Sequence, residues 1–157
     1  MSQKEDNLGA DYWRVIEPYW EAISIYDGPK VFLKQFHAVE PHVRHLFAAH
    51  WLYAEVCNGG FDQFFANSTG VLAPEAAEGF RAIGLDDYAA VIEEAIQLFG
   101  SSYPREQDKR NDLLDAMSED MTEENEPLGT LTDHFIGLIK EGRFLKAADQ
   151  YARSHAA

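Results

Sequence analysis

Residues 41–60 read PHVRHLFAAHWLYAEVCNGG, and this stretch decides the fold. Val43, Leu46, Phe47, Trp51 and Ala54 return every three to four residues, which lines them along one face of an α-helix and would scatter them over both faces of a strand. Pro41 suits a first helical turn, where the amide hydrogen has no intrahelical acceptor. Asn58-Gly59-Gly60 is expected to stop the helix through the left-handed conformation.

Outward from this segment the apolar period stays helical. Tyr12, Trp13, Ile16, Trp20 and Ile23 outline a first helix that restarts at Pro18, and Gly28-Pro29 opens a short second one through Val31, Phe32 and Phe36. Beyond Gly60 a short aromatic helix is predicted over Phe61 to Phe65. Pro74 starts a helix that ends before Gly84, Asp86 caps one running to Phe99, and Pro104 starts the next. Two more are predicted from Pro127 to Lys140 and from Arg143 to Ser154. No stretch alternates long enough to make a strand. The predicted class is therefore all-α, a single-domain helical protein of about eight to nine helices over residues 11–157, behind a flexible polar start at 1–10. Trp13, Trp20 and Trp51 are expected in its core.

With 157 residues, 46% apolar and 13% aromatic, the chain can bury a real core, and disorder is not expected. It has no apolar run near the ~18 residues of a membrane span, and its start lacks the apolar region of a signal peptide. Cys57 is the only cysteine, so no internal disulfide forms, and a reducing, cytoplasmic location is expected. A formal charge of −14 opposes direct nucleic-acid binding and attachment to anionic membranes, and favours basic protein partners. His42 and His45, with His37 or Glu40 nearby, match no zinc-ligand spacing and are expected to be solvated or hydrogen-bonded. Glycine-rich phosphate loops and Gly-x-Ser-x-Gly are absent, so neither a metal nor a cofactor is expected.

The charge is unevenly placed. Between Glu75 and Glu126 fifteen carboxylates stand against four bases, Arg81, Arg105, Lys109 and Arg110. Asp108, Asp112, Asp115 and Glu119 are spaced 4, 3 and 4, so a helix brings them within about 60° of one another as one stripe. Leu113, Leu114, Met117 and Met121 fall on the other side and are expected to form a buried apolar back. Like charges at this spacing destabilise a helix, by roughly 1 kcal/mol for the whole row. Such a row reads either as a solvated face that aids solubility or as a surface with a basic partner. Asp86, Asp87, Glu93 and Glu94 form a second row, and Asp120, Glu123 and Glu124 extend the first. One stripe carries a charge every ~5.5 Å of helix axis, against one per ~1.7 Å of duplex DNA; two such helices packed side by side would approach one per ~2.8 Å.

The most specific segment runs from Glu55 to Gly70, EVCNGGFDQFFANSTG. Asn58, Gly59 and Gly60 are expected to supply backbone freedom for a tight reversal, with Phe61, Phe64 and Phe65 filling space beneath it. Glu55, Gln63, Asn67 and Ser68 can then satisfy free helix-end amides and carbonyls. The alternative is a ligand pocket or active site with Glu55 as general base, although Cys57 has no evident activator.

In Glu55, Asn58-Gly59-Gly60-Phe61, Gln63-Phe64-Phe65 and Asn67-Ser68-x-Gly70, this segment resembles the signature of a family of small bacterial proteins that includes an acidic DNA-mimic protein. The similarity extends through 76–84 and the helix to Phe99, and covers roughly residues 12–145. The resemblance implies an all-α fold, a homodimer, and binding to a DNA-binding transcription regulator in place of DNA. The favoured function is accordingly a non-enzymatic, DNA-mimic-type protein that offers carboxylates to a basic DNA-binding protein. The alternatives are an enzyme or small-ligand binder using the 55–70 segment, or an acidic immunity-type inhibitor of a basic nuclease.

Overall fold

The 41–60 segment lies within the longest helix, Pro41–Ala66, which runs on through the expected stop. The computed structural model describes residues 7–120, 122 and 125–155, and among these it contains eight α-helices and no strand, as the apolar period predicted. They are α1 (Ala10–Ile16), α2 (Pro29–His37), α3 (Pro41–Ala66), α4 (Ala73–Ile83), α5 (Asp86–Gln97), α6 (Gln107–Glu119), α7 (Pro127–Ile139) and α8 (Arg143–Ser154), with single 3-10 turns at Glu17–Tyr19 and Ser68–Leu72.

α3 is the spine, and α1, α4, α6, α7 and α8 all pack against it. Its Gly59-Gly60 pair is a kink rather than an end: Gly59 has φ −154° and Gly60 φ 76°, and the helix resumes at Phe61. The amide of Phe61, freed by the kink, donates to Thr132 Oγ1 of α7 at 3.0 Å. Asn58 keeps helical geometry, so the left-handed residue is Gly60. Just past the kink Phe61, Phe64 and Phe65 are fully buried, and they meet Phe80 of α4, Tyr88 of α5, Phe135 of α7 and Phe144 of α8 in one aromatic core. Phe61 and Phe135 stand edge to face at 5.6 Å, an orientation that suits ring quadrupoles. α4 crosses α3 so closely that a Cβ on Gly79 would lie 2.5 Å from the carbonyl oxygen of His45.

Helix ends explain the connections. Gly84, at φ 96°, closes α4 with the bond from Leu85 N to Phe80 O (2.8 Å) that marks a Schellman turn, and Leu85 is buried. That turn makes Leu85 the residue before α5, so Asp86 is its first helical residue and not the expected side-chain cap. α1 is capped from a distance, because buried Asp149 of α8 accepts the amides of Gly9 (2.7 Å) and Tyr12 (3.0 Å).

The tryptophans sit at the margin of the core rather than in it. Trp20 stacks on Trp51 at 4.9 Å and tilts against Trp13 at 5.3 Å, and all three are partly buried. His50 lies against the rings of Trp13 and Trp20 and pairs its Nδ1 with the Tyr12 hydroxyl at 2.9 Å. Burial lowers the pKa of His50 to about 4. His45 bonds the Tyr151 hydroxyl at 2.7 Å, His42 stacks on His155, and His37 bonds Leu33 O on its own helix, so the three do not converge.

Candidate acidic binding surface

α6 is held to the molecule by a charge. Arg110 is fully buried, and its guanidinium donates from Nε to Phe65 O (2.9 Å), from Nη2 to Asn67 O (2.9 Å), and from Nη1 to Pro104 O (3.3 Å) and Arg105 O. Two of those carbonyls lie at the C-terminal end of α3, where helix carbonyls lack intrahelical donors and the helix dipole is negative. The buried cation is thus fixed by dipoles and hydrogen bonds and forms no ion pair among the described residues; burial lowers its pKa. Gly70 makes room for it, since a Cβ there would lie 2.6 Å from Arg110 Nε.

The residues before α6 complete the clamp. Tyr103 donates its hydroxyl to Gly70 O, and burial raises its pKa. Arg105 makes a two-pronged pair with Glu75 at 2.6 and 2.9 Å and also donates to Val71 O. Gln107 Nε2 reaches Ala66 O at 2.9 Å. These contacts keep 103–106 out of helical geometry, so α6 begins at Gln107 rather than at Pro104.

The 55–70 segment is the mount on which this clamp sits. Glu55 accepts from Gln63 Nε2 (2.5 Å), Asn67 Nδ2 (3.2 Å) and Thr69 Oγ1 (3.0 Å), and Asn58 Nδ2 in turn donates to Gln63 Oε1 (3.1 Å). The side chains of Gln63 and Asn67 were expected to satisfy helix-end backbone groups; they bind Glu55 instead, and Arg110 serves the carbonyls. Ser68 lines a cleft beside Tyr26. Cys57 is exposed, and burial around its sulfur raises its pKa, which leaves the thiol protonated at neutral pH.

On the outer face of α6, Asp108, Asp112, Asp115 and Glu119 are all exposed, as is Asp120 just beyond. None of the five forms an ion pair among the described residues. The expected apolar back is thinner than the sequence suggested. Leu114 and Met117 pack on the core, but Leu113 is 38% exposed and Arg110 is the helix's buried residue. Met121, Glu123 and Glu124 lie outside the described residues.

The second acidic row differs. Asp87 pairs with Arg143, Glu93 pairs with Arg81 (2.7 Å), and Asp86 lies 3.8 Å from the same arginine, leaving Glu94 without a cation among the described residues. Arg143 holds the Asp87 carboxyl below its usual pKa, and Arg81 does the same for Glu93. α5 packs on α4 and α7, whereas α6 packs on α3 and the 68–72 turn. The two rows therefore do not form the side-by-side pair of acidic helices that would approach the charge density of DNA.

Arg110 is the residue holding this candidate surface that sequence reasoning missed. It was counted only as one of four bases in an acidic stretch, yet its spacing of four and seven from Leu114 and Met117 places it on the inward face of the helix.

Together these features define an all-α protein in which one exposed helix, clamped to the end of a kinked central helix, carries a row of carboxylates that form no ion pair among the described residues. The chain belongs to the DMP19-like protein family, which matches residues 37–155. The resemblance was expected to cover 12–145; the match instead begins at the last residue of α2 and continues to the end of α8. No curated protein and no solved structure matches significantly. Among the described residues no helix is long and apolar enough to cross a membrane.

Proposed function

We propose that this protein binds a basic DNA-binding protein, of the transcription-regulator type, through the carboxylates of α6 and so competes with DNA. The observation that carries this reading is the contrast between the two acidic rows. Where α5 spends its carboxylates on Arg81 and Arg143, α6 leaves a row of four without a partner among the described residues. A row that is unfavourable for the helix itself, and rigidly mounted, suits a surface whose cations come from another molecule. The DMP19-like family is a DNA-mimic family, which supports the same reading.

Asp108, Asp112, Asp115, Glu119 and Asp120 form the centre of the proposed surface, with Glu94 as the free member of the second row. One stripe remains sparser than duplex DNA, and a homodimer that presents two stripes would lengthen the surface toward a symmetric regulator's half-sites. The enzyme alternative has less support: the carboxylate of Glu55 is engaged by three side-chain donors, which suits a structural anchor better than a base awaiting a substrate. The test is affinity capture from native lysate at low salt, followed by a salt gradient. Recovery of a DNA-binding regulator that elutes between low and physiological salt is expected, because screening weakens exposed charge pairs. A nuclease would favour the immunity reading, and a partner indifferent to salt would contradict this mechanism.

A further inference from the structure

Tyr26 is 76% exposed, more than any other large hydrophobic residue among those described. It is not loose. Its amide donates to Ser24 Oγ (3.1 Å), Ser24 Oγ donates to Asp27 Oδ2 (2.7 Å), Ser24 N donates to Gln35 Oε1 of α2 (2.7 Å), and the flanking Ile23 and Ile25 are buried. These bonds fix the backbone that carries the ring, so a partner that covers it does not have to order the loop. The ring borders a cleft of about 410 Å³ whose other walls include Trp51, Glu55, Ser68 and Gln107, the first residue of α6.

The chemistry of that cleft is specific. Glu55 receives neutral donors only, from Gln63, Asn67 and Thr69, and makes no ion pair among the described residues. Its charge is thus uncompensated within a cleft bordered by two aromatic residues. A carboxylate beside aromatic rings recognises a cation, and a planar guanidinium, which both stacks on a ring and meets a carboxylate, fits better than a compact ammonium. Asp108 follows Gln107, so the cleft opens at the N-terminal end of the acidic stripe.

We propose that the cleft between Tyr26, Trp51 and Glu55 takes an arginine side chain of the basic protein that docks on α6, fixing the register of that protein along the stripe. This rests on the reading of α6 as the docking face. The charged row then attracts, and the cleft selects arginine over lysine.

The experiment measures binding of hexa-arginine and hexa-lysine peptides to the full chain, to a Tyr26→Leu variant and to a variant with Asp108, Asp112, Asp115 and Glu119 changed to amides. The parent is expected to prefer hexa-arginine by roughly three- to tenfold. Tyr26→Leu should erase that preference while retaining hexa-lysine binding; because the side chain is exposed, its thermal denaturation should match that of the parent. Glu55→Gln should weaken hexa-arginine most. Equal affinity of the parent for both peptides, or a preference that survives Tyr26→Leu, would overturn the cleft proposal. The four-amide variant tests the other reading: it should weaken both peptides and leave the preference intact. If it binds both as the parent does, the α6 surface fails, while the Tyr26 comparison still decides the cleft.

Discussion

Arg110 joins the charge of this molecule to its packing. Its guanidinium supplies donors to four backbone carbonyls, two at the end of α3 and two just before α6, so Arg110→Met would fill similar volume and leave those acceptors without donors. The expected loss is about 3 kcal/mol, read by urea denaturation. Gly70→Ala forces the same guanidinium to move and should destabilise by about 2 kcal/mol. If both variants match the parent, the clamp does not hold α6. His50 gives a prediction in pH. Its folded pKa of about 4 lies below the unfolded value of 6.5, so at intermediate pH the unfolded chain binds the proton and the folded one does not. Stability should fall as pH drops below about 6.5 and the loss should be complete near about 4, amounting to about 3 kcal/mol. Because carboxylates titrate over part of the same range, the readout is the difference between parent and His50→Gln; identical pH profiles would remove His50 from the account. The spacing of Arg110 from Leu114 and Met117 marks its inward face, but the partners of Arg110 and His50 were not legible beforehand. Each role depends on partners distant in sequence, the carbonyls of Phe65 and Asn67 for Arg110 and the rings of Tyr12, Trp13 and Trp20 for His50.

At the scale of elements, the helices were readable because their apolar spacing reflects one buried face each, whatever the neighbours. Boundaries failed where tertiary bonds outbid local preference. Pro104 is a good first helical residue, yet Tyr103 and Arg105 are drawn to Gly70, Val71 and Glu75, and α6 starts later. Asn58-Gly59-Gly60 looked like a stop, but Phe61 has Thr132 to bond and a core to fill, so the helix kinks and continues. The kink predicts an order of sensitivity. Gly60→Val places a β-branched residue at φ 76° and should cost more than about 1 kcal/mol, whereas Asn58→Val, in helical geometry, should cost less. Thermal denaturation of the pair decides it, and the reverse order would place the left-handed requirement elsewhere. For α6 itself, the four-amide variant should be as stable as the parent or more so by up to about 1 kcal/mol, because like-charge repulsion is relieved and no described ion pair is lost. A clear loss of stability would show that the carboxylates serve the fold.

Across the whole molecule, a net charge of −14 pointed to a basic partner, but it could not say which carboxylates were free. That depended on Arg81 reaching Glu93 across the turn between α4 and α5, and on Arg143 of distant α8 reaching Asp87. The expected pair of adjacent acidic helices gave way to a single free stripe for the same reason, since α5 and α6 pack on different neighbours. The 55–70 segment carries little charge, yet its carbonyls at Phe65, Ala66 and Asn67 hold the start of the helix that bears the stripe. The most direct measurement is competition. The parent and the four-amide variant are titrated against DNA bound to the regulator captured at low salt, with the variant's thermal stability measured alongside. The parent is expected to displace DNA, and the equally stable variant to do so at least roughly tenfold less well, a loss of about 1.4 kcal/mol. If the variant displaces DNA as effectively as the parent, the acidic face of α6 is not the binding surface.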